Sequence, residues 1–109
     1  MADEIYEMSP AELDERLRGE QPPVLLDVRE PWEHGVASIA GARLVPLNSL
    51  PAALSTLDPA REYVVHCHHG TRSRRAAEFL KARGLEHVSN LRGGIAAWSD
   101  EVDPSVPQY

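Results

Sequence analysis

Short all-apolar runs alternate along this chain with stretches of helical period. Val24-Leu25-Leu26 and Tyr63-Val64-Val65 are apolar at consecutive positions, the pattern of strands buried on both faces of a parallel sheet. Glu86 to Leu91 reads as another strand, and Ile5-Tyr6 as a short first one. Gly41 to Pro46 reads as a strand closed by proline, which belongs at a sheet edge. Between the strands lie three helical patterns. Ser9 as N-cap, Pro10 at the first helical position and Glu12 reaching back to the cap open a helix that carries Leu13 and Leu17 to the core and stops at Gly19. Asn48 opens a second through Leu50, Leu54 and Leu57, ended by Asp58-Pro59. The third runs from Thr71 to Arg83 with Ala76, Phe79 and Leu80 on one face and Gly84 as its stop. Gly93-Gly94 leads into a last short helix whose Trp98 packs on the core. Trp32 to Ala40 has no period and reads as a loop with one helical turn at most. The tail around Pro104 and Pro107 reads as extended and irregular. Strands and helices alternating at this spacing predict an α/β, three-layer fold with a mainly parallel five-stranded sheet flanked by helices.

Composition narrows the function classes. At 109 residues the chain is expected to form a single domain over residues 1–109, with one core. A net charge of −6 argues against nucleic acid as a partner, since phosphate neutralisation wants an excess of Lys and Arg. No apolar run approaches the ~18 residues of a membrane span, and Met1-Ala2-Asp3-Glu4 is acidic where a signal peptide would be basic. No membrane partner is therefore expected. A single cysteine excludes an intrachain disulfide framework, and a reactive free thiol fits a reducing, cytoplasmic setting.

That cysteine, Cys67, stands between the strand ending near His66 and the helix starting at Thr71. A strand feeding a tight loop into a helix N-terminus builds an anion cradle, because backbone N–H groups converge and the helix dipole adds partial positive charge. No residue from His68 to Ser73 is proline, so every amide there can donate, and Gly70 supplies the positive φ that the curl demands. A cysteine in such a place is expected to react as thiolate. A lone cysteine is more often a small buried hydrophobe, but His68, His69, Thr71 and Arg72 are poor company for one. The contiguous His66, Cys67, His68 and His69 also invite a metal reading. Zinc ligands are normally spaced to reach tetrahedral geometry, and His66, still on the strand, should point away from Cys67. No metal and no cofactor is expected. Arg74 and Arg75 read as a solvated helix face. Arg72 opposes the dipole at the helix N-terminus, a cost that a bound anion would relieve. A charged pair, Asp27 and Arg29, follows the Val24-Leu26 strand at its C-terminal end, the end of the strands where ligands gather in α/β folds.

Four ordered blocks resemble the single-domain rhodanese (thiosulfate sulfurtransferase) family. They are Leu26-Asp27-Val28-Arg29-Glu30 with Trp32-Glu33, Ile39-Ala40-Gly41-Ala42 before Pro46-Leu47, Cys67 to Ser73, and Asn90-Leu91-Arg92-Gly93-Gly94 through Trp98. The end from Asp103 to Tyr109 is similar to single-domain members and to modules fused to sulfur-carrier-activating enzymes. The resemblance implies a sulfurtransferase in which Cys67 takes the outer sulfur of thiosulfate or a similar donor as a persulfide. It then passes that sulfur to a thiophilic acceptor: cyanide in vitro, a small thiol or sulfur-carrier protein in the cell. It also implies that His68, His69, Gly70, Thr71 and Arg72 form the substrate-binding loop, with Arg72 helping to bind the anionic donor. Asp27 and Arg29 would support the floor of the site. Two positions depart from the common pattern: His68 stands where many members carry Arg or Lys, and Ser38 where many carry His. The first implies modest thiosulfate affinity. Two other classes use or resemble this layout. Dual-specificity phosphatases of a related fold have a longer loop between Cys and Arg, and non-catalytic members usually lack the cysteine.

Overall fold

The computed structural model describes residues 4–109. Five strands, β1 (Tyr6–Met8), β2 (Val24–Asp27), β3 (Arg43–Leu44), β4 (Glu62–His66) and β5 (His87–Leu91), form one sheet in the order β1-β5-β4-β2-β3. Every pairing is parallel. The helices are α1 (Pro10–Leu17), α2 (Pro31–Val36), α3 (Leu50–Ala53), α4 (Thr71–Ala82) and α5 (Gly94–Glu101).

The apolar runs explain the layering. Successive strand residues point to opposite faces, so Leu26 and Val65 enter one core with Leu50, Ala76, Ala77 and Leu80. Their neighbours Leu25 and Val64 enter the other with Leu13, Leu91, Ile95 and Trp98. α3 and α4 therefore cover one face, and α1 and α5 the other. Both faces of β2 and β4 are apolar because both are covered. In register, Asp27 at the end of β2 stands beside His66 at the end of β4, so the loops that follow, with Arg29 and Cys67, leave the sheet side by side.

Three segments differ from expectation. Residues 31–36 form α2 rather than a loop, held by a reciprocal cap in which Glu33 bonds the backbone of Glu30 and the Glu30 side chain answers. That signal is local hydrogen bonding rather than apolar period. Asn48 caps no helix: it lies in a 3₁₀ turn (Leu47–Ser49), α3 starts only at Leu50, and a second 3₁₀ turn follows over Leu54–Thr56. Pro51 is tolerated only in a first helical turn, so it sets that start. Lastly, the tail is anchored. Val106 is buried, and its carbonyl accepts the Ser99 hydroxyl at 2.7 Å.

Candidate active site

The loop after β4 is built by the helix next to it. The carbonyls of Cys67 and His68 accept N–H bonds from Ile95 (2.9 Å) and Ala96 (3.1 Å) in the first turn of α5. With those carbonyls tied outward, loop amides are free to face inward. The Gly70 N–H reaches Cys67 Sγ at 3.1 Å and the Ser73 N–H at 3.4 Å. Two glycines permit this. Gly70 has φ +107° as the residue before α4, and a Cβ at Gly94 (φ +64°) would collide with the His68 carbonyl. Cys67 is 1% exposed.

The Ser73 hydroxyl lies 3.3 Å from Sγ and 2.5 Å from Asn90 Oδ1. Asn90 is itself oriented by its Nδ2, which donates to Glu7 (2.9 Å) and to the Gly70 carbonyl (3.1 Å). Ser73 carries one hydroxyl proton, so it serves the sulfur or Asn90 but not both. Neither Ser73 nor Asn90 was among the expected site residues. Both lie within the sequence blocks quoted above, but their contacts depend on β5 lying beside β4.

Beneath the loop, Asp27 and Arg29 are fully buried. The guanidinium donates from Nε to Oδ1 (2.8 Å) and from Nη2 to Oδ2 (2.7 Å), and it also reaches the Ala37 carbonyl (2.6 Å) and the Tyr109 hydroxyl (2.7 Å). The pair is buried and fully bonded, which fits the supporting role that the resemblance implies. His34 Nδ1 lies 2.8 Å from Asp27 Oδ2, and the buried His66 faces the same carboxylate with Nε2 at 3.9 Å while its Nδ1 lies 3.3 Å from the Cys67 carbonyl. Burial pushes the Asp27 carboxyl up, but Arg29, His66 and His34 together bring it down to about 2. Burial pushes His66 down to about 4, with Asp27 opposing.

These shifts fix the sign of the acid response. His66 is neutral in the fold below its ordinary 6.5, so the unfolded chain binds more protons between about pH 6.5 and 4. Stability is therefore complete above that window and falls as pH falls through it. Asp27, depressed from 3.8, adds a second loss between about pH 4 and 2. We expect on the order of 2 kcal/mol to be lost between pH 7 and 5 through His66, read by urea denaturation at the two pH values. His66→Gln should remove most of that slope; an unchanged slope would refute the assignment.

The lip of the site is an ion pair and a column of rings. Arg72 grips Glu33 with both Nη atoms, at 2.7 and 2.9 Å, and Tyr109 donates its hydroxyl to the same carboxylate at 2.8 Å. The Arg72 bonds, against a smaller opposing effect of burial, hold the Glu33 carboxyl at about 2. Tyr109 stacks on His68 with centroids 4.0 Å apart, and His68 stacks on His69, also at 4.0 Å. Of the expected loop residues, then, Gly70 touches the sulfur by its amide, Arg72 is committed to Glu33, His68 and His69 form the lip, and Thr71 starts α4 in an exposed position. Glu33 was visible in the first sequence block without a role. Tyr109 lay in the terminal stretch that carries the resemblance, but the tail's lack of period gave it no role. Among the described residues no group of three His, Cys, Asp or Glu is placed to hold a metal ion. No helix among them is long and apolar enough to cross a membrane.

A parallel five-stranded sheet with a cysteine loop cradled between β4 and α4 defines a recognisable class of protein. Residues 9–101 match the Rhodanese-like domain family, and the chain belongs to that family. A sulfurtransferase of Allochromatium vinosum is 34% identical over 102 residues, 94% of this chain and 95% of that protein. The Rhodanese-like/PpiC domain-containing protein 12, chloroplastic, of Arabidopsis thaliana is 42% identical over 89 residues; this chain spans only 30% of its length. Among solved structures, a rhodanese-like domain protein from Staphylococcus aureus superposes with a TM-score of 0.84 at 28% identity, covering 96% of this chain and 99% of that one. A rhodanese-related protein from Thermoplasma volcanium does so at 0.82 and 35%, covering 94% and 97%.

Proposed function

We propose that this chain is a sulfurtransferase that moves a sulfane sulfur from thiosulfate or a similar donor, through a persulfide on Cys67, to a thiophilic acceptor. The observation that carries this reading is the pair of backbone donors, Gly70 and Ser73, aimed at Cys67 Sγ. They stabilise a sulfur anion at that point, which is what both the attacking thiolate and the persulfide product require. With thiosulfate, the Cys67 thiolate attacks the outer sulfur, the S–S bond breaks, and sulfite leaves with the bonding pair. The acceptor then attacks the terminal sulfur and returns the thiolate. Cyanide would serve as acceptor in vitro. In the cell, a reducing cytoplasm and a small thiol or a sulfur-carrier protein fit the chemistry.

Phosphoryl transfer is the competing reading, because a cysteine cradled at a helix N-terminus also suits a phosphate. The loop from Cys67 through Arg72 has six residues, one fewer than in the phosphatases it resembles. One residue spans up to ~3.6 Å, a large part of an oxygen's diameter. A ring this tight suits one sulfur atom and crowds a tetrahedral phosphoryl group. We expect thiocyanate formation from a sulfane-sulfur donor and cyanide, and no turnover of para-nitrophenyl phosphate. Phosphatase turnover that disappears in Cys67→Ser would overturn the proposal.

A further inference from the structure

We infer that the site selects an organic hydropersulfide, R–S–SH, over thiosulfate, and that Glu33 sets this preference by occupying the Arg72 guanidinium. The inference rests on the sulfurtransferase reading and concerns which donor that site accepts.

Charge bookkeeping of the two donors differs. Thiosulfate brings two negative charges to a thiolate and releases sulfite as a dianion. In the hydropersulfide reaction the Cys67 thiolate attacks the terminal sulfur of R–S–SH. The S–S bond breaks, RS⁻ leaves with the bonding pair and Cys67 carries the persulfide, so the site meets fewer negative charges than with thiosulfate. A site for thiosulfate therefore needs cationic side chains that are free to face the donor.

This lip does not hold Arg72 free. Glu33 is 4% exposed and both its oxygens are filled. Oε1 takes Arg72 Nη1 at 2.7 Å and the Glu30 N–H at 3.0 Å, while Oε2 takes Arg72 Nη2 at 2.9 Å and the Tyr109 hydroxyl at 2.8 Å. A carboxylate held from four directions has no easy way to swing aside for an incoming anion. Two further guanidiniums are matched by carboxylates, Arg29 by Asp27 and the exposed-side Arg74 by Glu7 at 2.6 Å. At the position after the cysteine, His68 is pushed below its ordinary value, first by burial and then by His69, so it brings little positive charge at neutral pH. What the lip does offer is aromatic surface. Trp32 is 64% exposed and meets the edge of Tyr109 at 6.1 Å, and Val36, one turn further along α2, is also exposed. An organic R group can pack there; sulfite gains nothing from it.

The test is single-turnover loading of Cys67 by thiosulfate and by cysteine hydropersulfide, followed by intact mass, in the wild type and in Glu33→Gln. Glutamine keeps two polar contacts and removes the charge that cancels Arg72. The wild type should load from the hydropersulfide about tenfold faster or more, and Glu33→Gln should raise the thiosulfate-to-hydropersulfide rate ratio by a similar factor, as expected for freeing one charge beside an anion site. A wild type that prefers thiosulfate, or a ratio that is unchanged or falls in Glu33→Gln, would overturn the inference. If the variant does not fold, the wild-type preference alone decides it. Loading from neither donor would instead overturn the sulfurtransferase reading on which it rests.

Discussion

Cys67→Ser should fold and unfold like the wild type while its sulfur-transfer rate drops to background. Cys67 is the only cysteine of the chain, so no other side chain can carry a persulfide. The substitution changes one atom at a buried site where the Gly70 and Ser73 N–H groups can donate to a serine oxygen as they do to sulfur. Its cost in stability should stay within about 1 kcal/mol. A serine hydroxyl at neutral pH is neither a comparable nucleophile nor able to form a persulfide. Thiocyanate formation above background in a folded Cys67→Ser protein would refute the catalytic assignment.

Arg29→Leu should have the largest effect on stability of any single change near the site. Arg29 is fully buried and holds together both carboxylate oxygens of Asp27, the Ala37 carbonyl that follows α2, and the Tyr109 hydroxyl. Leucine would leave Asp27 charged and buried, with the half-buried His34 and the neutral His66 as its remaining neighbours. Breaking one side of a buried pair costs about 3–5 kcal/mol, a large share of a total that is about 5–15 kcal/mol for an ordinary domain. Arg29→Lys should rescue little, because an ammonium cannot reproduce the bidentate fork. Urea denaturation decides it: a loss below about 1 kcal/mol would mean that the pair contributes little to the fold.

Much of this architecture is legible because apolar runs on consecutive residues can be satisfied only by a sheet covered on both sides. Leu25 and Leu26, or Val64 and Val65, announce two cores before any coordinates. The cysteine loop is equally legible, since strand, tight turn and helix start follow one another without interruption. What stays hidden is contact across the chain. Glu33 reads as one more charged residue in an unpatterned stretch until α2 brings it to Arg72, 39 positions away. Ser73 and Asn90 become partners only through the pairing of β4 with β5. Tyr109 sits in a tail where proline removes periodicity, and its place over His68 depends on anchoring of Val106 beneath α5. The Arg72 reading shifts most: an arginine expected to meet a donor anion is already matched by a carboxylate of its own chain.

The most direct measurement is the intact mass of the protein after incubation with a sulfane-sulfur donor and removal of the excess. A gain of one sulfur atom per chain is expected, mapped to the peptide containing Cys67, lost on addition of cyanide with stoichiometric thiocyanate, and absent in Cys67→Ser. An unchanged mass with thiosulfate and with cysteine hydropersulfide alike, or an equal gain in Cys67→Ser, would contradict the account.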